Sequence, residues 1–293
     1  MARTVTDDRA APGVVRTLKE RAGVGDIAVL LAVPLVLAGV FRLPREVRSS
    51  LVFEYTDPSL LTAFASAFVH FDRTHLLVNI GTYAVVVAVV FALAVTSGHR
   101  RQFHLAFFNF VFVFPALLSY LNLSVLRSAA GFGFSGVVMA FGGYLPLALA
   151  EYADKRFGIG PRTAVAPVLA FCSLALIAVL SVQSVVAENT TVLLGTAGLV
   201  VATLLAAVLY AVPLSDTDSN LTGKIAAAPA RTGYFELGVV ALVVVFGLPF
   251  VAFPADPTGV DGSVNLYVHL LGYTLGFLVT YVVTELGVRV EAS

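Results

Sequence analysis

The chain has 293 residues, 58% hydrophobic and 12% charged, with 18 basic and 18 acidic side chains and no net charge. Soluble domains carry about 25% charged residues, so this balance excludes an ordinary water-soluble globule and points to a polytopic membrane protein. Neutrality disfavours nucleic acid as a partner, and a lone cysteine, Cys172 in an apolar run, rules out an intrachain disulfide and reads as a small buried hydrophobe.

Residues 1–25 read as an N-terminal tail, with Arg16, Lys19 and Arg21 just before the first apolar run. Eight apolar segments follow, at 26–42, 74–96, 104–125, 132–152, 163–187, 190–213, 234–254 and 265–286. The first could be a cleaved signal peptide, but no small-x-small site follows it, and a retained span is the favoured reading. The predicted fold is therefore an all-α bundle of about eight transmembrane helices, occupying 26–287. Residues 43–73 form a long loop before the second span, 214–233 a polar linker, 255–264 a turn-rich loop, and 288–293 a short tail. With the N-terminus inside, thirteen Lys and Arg fall on the cytoplasmic side and five on the other, which places both termini in the cytoplasm. A prokaryotic cytoplasmic membrane is the expected location, since the chain shows no organelle-targeting signal.

Polar groups inside a membrane are costly and raise a functional question wherever they occur. No Asp, Glu, Lys or Arg stands in the middle of a span, which argues against an ion-coupled transporter and against an aspartyl protease. No His-Glu-x-x-His motif occurs, and neither a metal nor a cofactor is expected. The polar residues that remain are His75, Asn79, Asn109, Ser135 and His269, with His70 just outside.

In HFDRTHLLVN, His70 to Asn79, either Asp72 or Thr74 can cap the second span. His75 then lies in the first turn, with Asn79 on the same face about 6 Å deeper. A polar pair that glues helices together is one reading of it, as well supported as a functional one. In GFSG, Gly133 to Gly136, close packing is the simple reading, yet Ser135 opens its span, where backbone N–H groups lack an intrahelical acceptor. A free N–H beside a serine hydroxyl suits acyl transfer, and Gly136 leaves space for a substrate backbone. Met139 lies one turn below Ser135. In HLLGYTLG, His269, Gly272 and Gly276 form one stripe, with glycines that permit tight contact and the histidine at its top. All three motifs open even-numbered spans, so His75, Asn79, Ser135 and His269 fall beneath the same outer surface. Ser135 can then be a nucleophile and His269 its base, with the Ser135 N–H, Asn79 and His75 as oxyanion donors. No carboxylate lies at that depth, so a dyad is expected.

Together the three motifs resemble the rhomboid family of intramembrane serine proteases: His-x-x-x-Asn, Gly-x-Ser-Gly and His-x-x-Gly-x-x-x-Gly, in that order. The resemblance covers residues 62–83, 131–144 and 267–277 by motif. It implies a serine endopeptidase acting on the transmembrane helices of membrane-protein substrates within the lipid bilayer, near their extracytoplasmic end. It assigns Ser135 and His269 to the dyad and His75 and Asn79 to the oxyanion. Gly133 and Gly136 would shape the nucleophile's turn, and His70 would hold the preceding loop. The chain departs from the pattern in having three helices, not one, between nucleophile and base. Met139 replaces a common aromatic residue and would contact the base through sulfur, and no Trp-Arg pair occurs in the first loop. A rhomboid-like binding factor without catalytic activity and a helical scaffold whose glycines only pack are the competing readings.

Overall fold

In the computed structural model, residues 13–124, 130–183, 190–217, 220–254 and 265–291 are described. The central element is α8 (Ser135–Phe157), with 94% of its membrane-length window buried. Around it stand α5 (Arg73–Ser97), α9 (Arg162–Gln183), α12 (Tyr234–Ala252) and α13 (Leu266–Glu291). Helix α2 (Val24–Phe41) leans on α5, and α10 (Thr190–Thr217) packs along α9. These seven helices are long and apolar enough to cross a membrane. Their outward faces are apolar as well: Leu31, Leu35, Leu194, Leu205 and Leu209 are all more than half exposed, as lipid contact requires.

The predicted third span is a broken one. Helix α6 (Arg100–Phe112) and α7 (Phe114–Asn122) meet at a 48° bend, and counting the pair as one span gives eight. Pro115, in the first turn of α7, cannot donate the N–H that a continuous helix would need there, which accounts for the break. The tail and linkers also carry more structure than expected. Residues Val14–Arg21 form α1, which docks on α5 with Thr17 hydrogen-bonded to Tyr234 at 2.8 Å. The loop at 43–73 contains α3 (Arg45–Ser50), β1 (Phe53–Glu54), α4 (Leu60–Ala65) and a 3-10 turn at Ser66–Phe68. β1 pairs antiparallel with β2 (Ala130–Gly131), so the bundle carries one small strand pair. The linker at 214–233 holds the end of α10, α11 (Leu221–Ala227) and a 3-10 turn at Ala228–Ala230. The loop 255–264 lies outside the described residues.

Local chemistry sets the helix ends near the site. The Asp72 side chain accepts from the His75 N–H at 2.7 Å and starts α5. Gly98, at φ 92°, ends it in the left-handed conformation. Asn265 Oδ1 accepts from the Val268 N–H at 3.2 Å at the start of α13. Phe134 stands before α8 with no side-chain cap, which leaves the first amides of that helix open.

Helices α8 and α13 are parallel and in backbone contact. A Cβ on Gly272 would collide with the Gly136 carbonyl, one on Gly276 with Ala140, and one on Gly143 with the Tyr273 carbonyl. Lipid gives helices no hydrophobic reason to associate, so packing at this distance supplies much of the attraction. Gly195 and Gly198 of α10, by contrast, have nothing within 4 Å of a built Cβ. Gly276→Val should therefore cost about 1–3 kcal/mol or more. Gly195→Ala should leave the thermal midpoint in detergent nearly unchanged. Equal midpoints for the two variants would show that α8 and α13 are not held at this distance.

Candidate functional site

Ser135 is the first residue of α8 and is half-buried. The turn before it depends on Gly133, whose φ of 104° favours glycine. A Cβ there would also stand 2.9 Å from His75 Cε1 and 3.2 Å from Nε2, so the turn rests on the His75 ring. Two further contacts fix it. The Gly133 N–H donates to the Ser66 carbonyl at 3.0 Å, and the fully buried Phe134 packs on Phe68 and Tyr83 with ring centroids 5.5 and 6.1 Å away. Among the described residues neither the Ser135 nor the Gly136 N–H makes a hydrogen bond, and the first backbone donors of α8 to find an acceptor are Val137 and Val138, both on the Phe134 carbonyl.

His75, Asn79 and His70 form one network under this turn. The His70 Nδ1–H donates to the Phe68 carbonyl at 3.4 Å, which makes Nε2 the acceptor for the Asn79 amide at 3.0 Å. The same amide donates to the His75 carbonyl at 3.1 Å. Both Asn79 amide protons are thus engaged, and an oxyanion role for Asn79 requires that one be released. The His70 and His75 rings meet edge to face at 4.9 Å. His70 is fully buried, and burial first, with the nearby His75 second, pushes its imidazole down from 6.5 to about 4.

His269 occupies the first turn of α13 and is buried. Its Nδ1 lies 2.7 Å from the Ala252 carbonyl at the C-terminal end of α12. A carbonyl only accepts, so Nδ1 carries the proton and Nε2 the lone pair, the tautomer that a general base requires. The carbonyl belongs to the last turn of α12, where no intrahelical donor remains for it. It fixes the orientation of the His269 ring with a backbone acceptor, where the sequence shows no carboxylate. The aromatic neighbour of His269 is Phe253, with ring centroids at 6.0 Å. Met139 is buried, with its Cβ against the Gly272 position one turn below His269.

The structure brings Ser135, Gly133, Gly136, His75, Asn79 and His70 to one end of the bundle. It sets His269 and Gly272 beside them on α13, where a Cβ on Gly136 would stand 2.5 Å from Val268 Cγ1. Among the described residues no hydrogen bond joins the Ser135 hydroxyl to the His269 ring. Gly276 sits deeper, at the α8 contact. Sequence reasoning missed Arg48, whose Nη1 donates to the His70 carbonyl at 2.5 Å and whose guanidinium lies 5.4 Å from the Phe71 ring centre. It also missed the Ala252 carbonyl, since a backbone acceptor leaves no signal in residue types. No protein-family model, curated protein or solved structure matches the chain.

The folded state holds His70 neutral, so the unfolded chain takes up the extra proton first as pH falls. The stability it contributes is complete above about pH 6.5 and declines as pH drops from 6.5 toward 4. Thermal midpoints in detergent should fall across that window, and His70→Gln should flatten the fall. An unchanged slope in the variant would show that His70 does not titrate there.

Proposed function

We propose that this chain is a rhomboid-like intramembrane serine endopeptidase that cuts transmembrane segments of membrane proteins with a Ser135–His269 dyad. The observation that carries the reading is the His269 tautomer. Nδ1–H is committed to the Ala252 carbonyl, and the lone pair at Nε2 stands on a helix in backbone contact with the one that Ser135 opens.

In this mechanism the Ser135 hydroxyl attacks the scissile carbonyl while His269 Nε2 takes its proton. The open amides of Ser135 and Gly136 receive the developing oxyanion at the positive end of α8. Asn79 joins them by releasing its bond to the His75 carbonyl, and His75 borders the same space. The protonated Nε2 then gives its proton to the leaving amine, and water hydrolyses the acyl-enzyme by the reverse sequence. Catalytic hydrogen bonds are often long in a free enzyme and tighten with substrate, so the missing Ser135–His269 bond belongs to the resting state. On this reading the end of the bundle that carries Ser135 faces the extracytoplasmic side, the side with fewer Lys and Arg, and both termini lie in the cytoplasm. The partners are then the transmembrane helices of substrates and the bilayer itself.

The engaged Asn79 amide and the unjoined dyad favour one alternative, a rhomboid-like factor that binds membrane segments without cutting them. Fluorophosphonate labelling in native-like lipid separates the two. A protease forms an adduct on Ser135 that is absent in Ser135→Ala and His269→Ala. Asn79→Ala should lower kcat about 100-fold with KM little changed. An unlabelled Ser135 in a folded sample favours the binding factor, and an effect of Asn79→Ala on KM alone removes that residue from the oxyanion site.

A further inference from the structure

The other end of α8 carries a second polar site. Glu151 lies sixteen residues beyond Ser135, about 24 Å along the helix. There the ends of α5 and α8 and the starts of α6 and α9 enclose a cavity of about 540 Å³, lined by four Lys or Arg side chains and two carboxylates.

The charged groups divide into those already held by neighbours and those that are not. Glu151 is buried, with Arg162 Nη1 3.5 Å away and His99 Nδ1 3.8 Å away, and Arg162 also reaches Glu285 at 3.2 Å. Arg156 donates to the Thr96 carbonyl and stacks over the Tyr234 ring at 4.3 Å, covering the C-terminal end of α5. Among the described residues Arg21 has only a long bond, 3.5 Å, to the Val95 carbonyl. Lys155 is exposed and, among the described residues, makes no hydrogen bond or ion pair. Of the acids, only the exposed Asp154 is left to oppose them. Burial together with Arg162 and Lys155 holds the His99 imidazole below its ordinary value, as a site already rich in positive charge would. His99 also opens α6 without a side-chain cap and lines the cavity.

We propose that this cavity holds one phosphate-bearing anion, with Arg21 and Lys155 as its principal contacts. Guanidinium and ammonium donors at the polar ends of membrane helices match phosphate, and the cavity is of ligand size. The site is independent of the hydrolytic chemistry proposed at the opposite end.

The test uses the whole 293-residue chain in phosphatidylcholine nanodiscs doped with phosphatidylglycerol. Native mass spectrometry counts retained lipid, and inorganic phosphate serves as competitor. The expected result is one phosphatidylglycerol retained in preference to phosphatidylcholine, or saturable binding of inorganic phosphate. Lys155→Gln and Arg21→Gln should each weaken that binding about fivefold. Arg162 is left intact because its loss would strand buried Glu151. Competition by phosphate assigns the site to free phosphate as well as to headgroups, and its failure to compete assigns the site to the lipid. Equal retention of both lipids with no phosphate binding overturns the proposal, as does unchanged binding in the exposed Lys155→Gln variant.

Discussion

The architecture depends on the contact between α8 and α13. Gly136 and Gly143 on one helix meet Val268 and Tyr273 on the other, and Gly272 and Gly276 meet Gly136 and Ala140, so closely that no Cβ fits at any of the four glycines. Helices at that distance cannot slide or rotate by a turn without collision, so the register is fixed. Because the two run parallel, fixing the register brings the first turns together, and those turns carry Ser135 and His269. The same glycines that weaken a helix in isolation thus position the polar residues above them.

A second layer of constraint comes from backbone groups at helix ends. The open amides of α8 and the terminal carbonyl of α12 are unsatisfied because helices end there. The latter is taken up by the His269 Nδ1–H, which sets the ring's tautomer without a buried acid. In a membrane interior this matters, because an ionised carboxylate at that depth would be costly to bury. The first loop is pinned in a related way, with Arg48 holding the His70 carbonyl and His70 in turn holding Asn79.

Much of this was legible in the sequence. Seven of the eight apolar segments form single long helices with ends close to those expected, because lipid-length hydrophobic runs leave little alternative. The third does not, since Pro115 sits inside an apolar run that hydropathy alone cannot divide. The glycine stripes announced close packing, and the parity of spans put Ser135 and His269 at the same end, where the parallel α8 and α13 now bring them. The rest was hidden for physical reasons. Val14–Arg21 is too short and too charged to read as a docked helix, yet Thr17 and its neighbours pack against α5. The engagement of both Asn79 protons and the role of the Ala252 carbonyl depend on three-dimensional proximity, which residue types do not record. Glu151 and Asp26, placed near span ends by sequence, prove to be buried and ion-paired there.

The central claim is that Ser135 and His269 act on one reacting group. A peptidyl chloromethyl ketone tests this most directly, because its carbonyl accepts a serine oxygen while its methylene alkylates the imidazole. The structure of the inhibited protein in lipid should show one inhibitor bonded to both Ser135 Oγ and His269 Nε2. Reaction at only one of them, or at His269 Nδ1 with the Ala252 bond broken, would contradict the account.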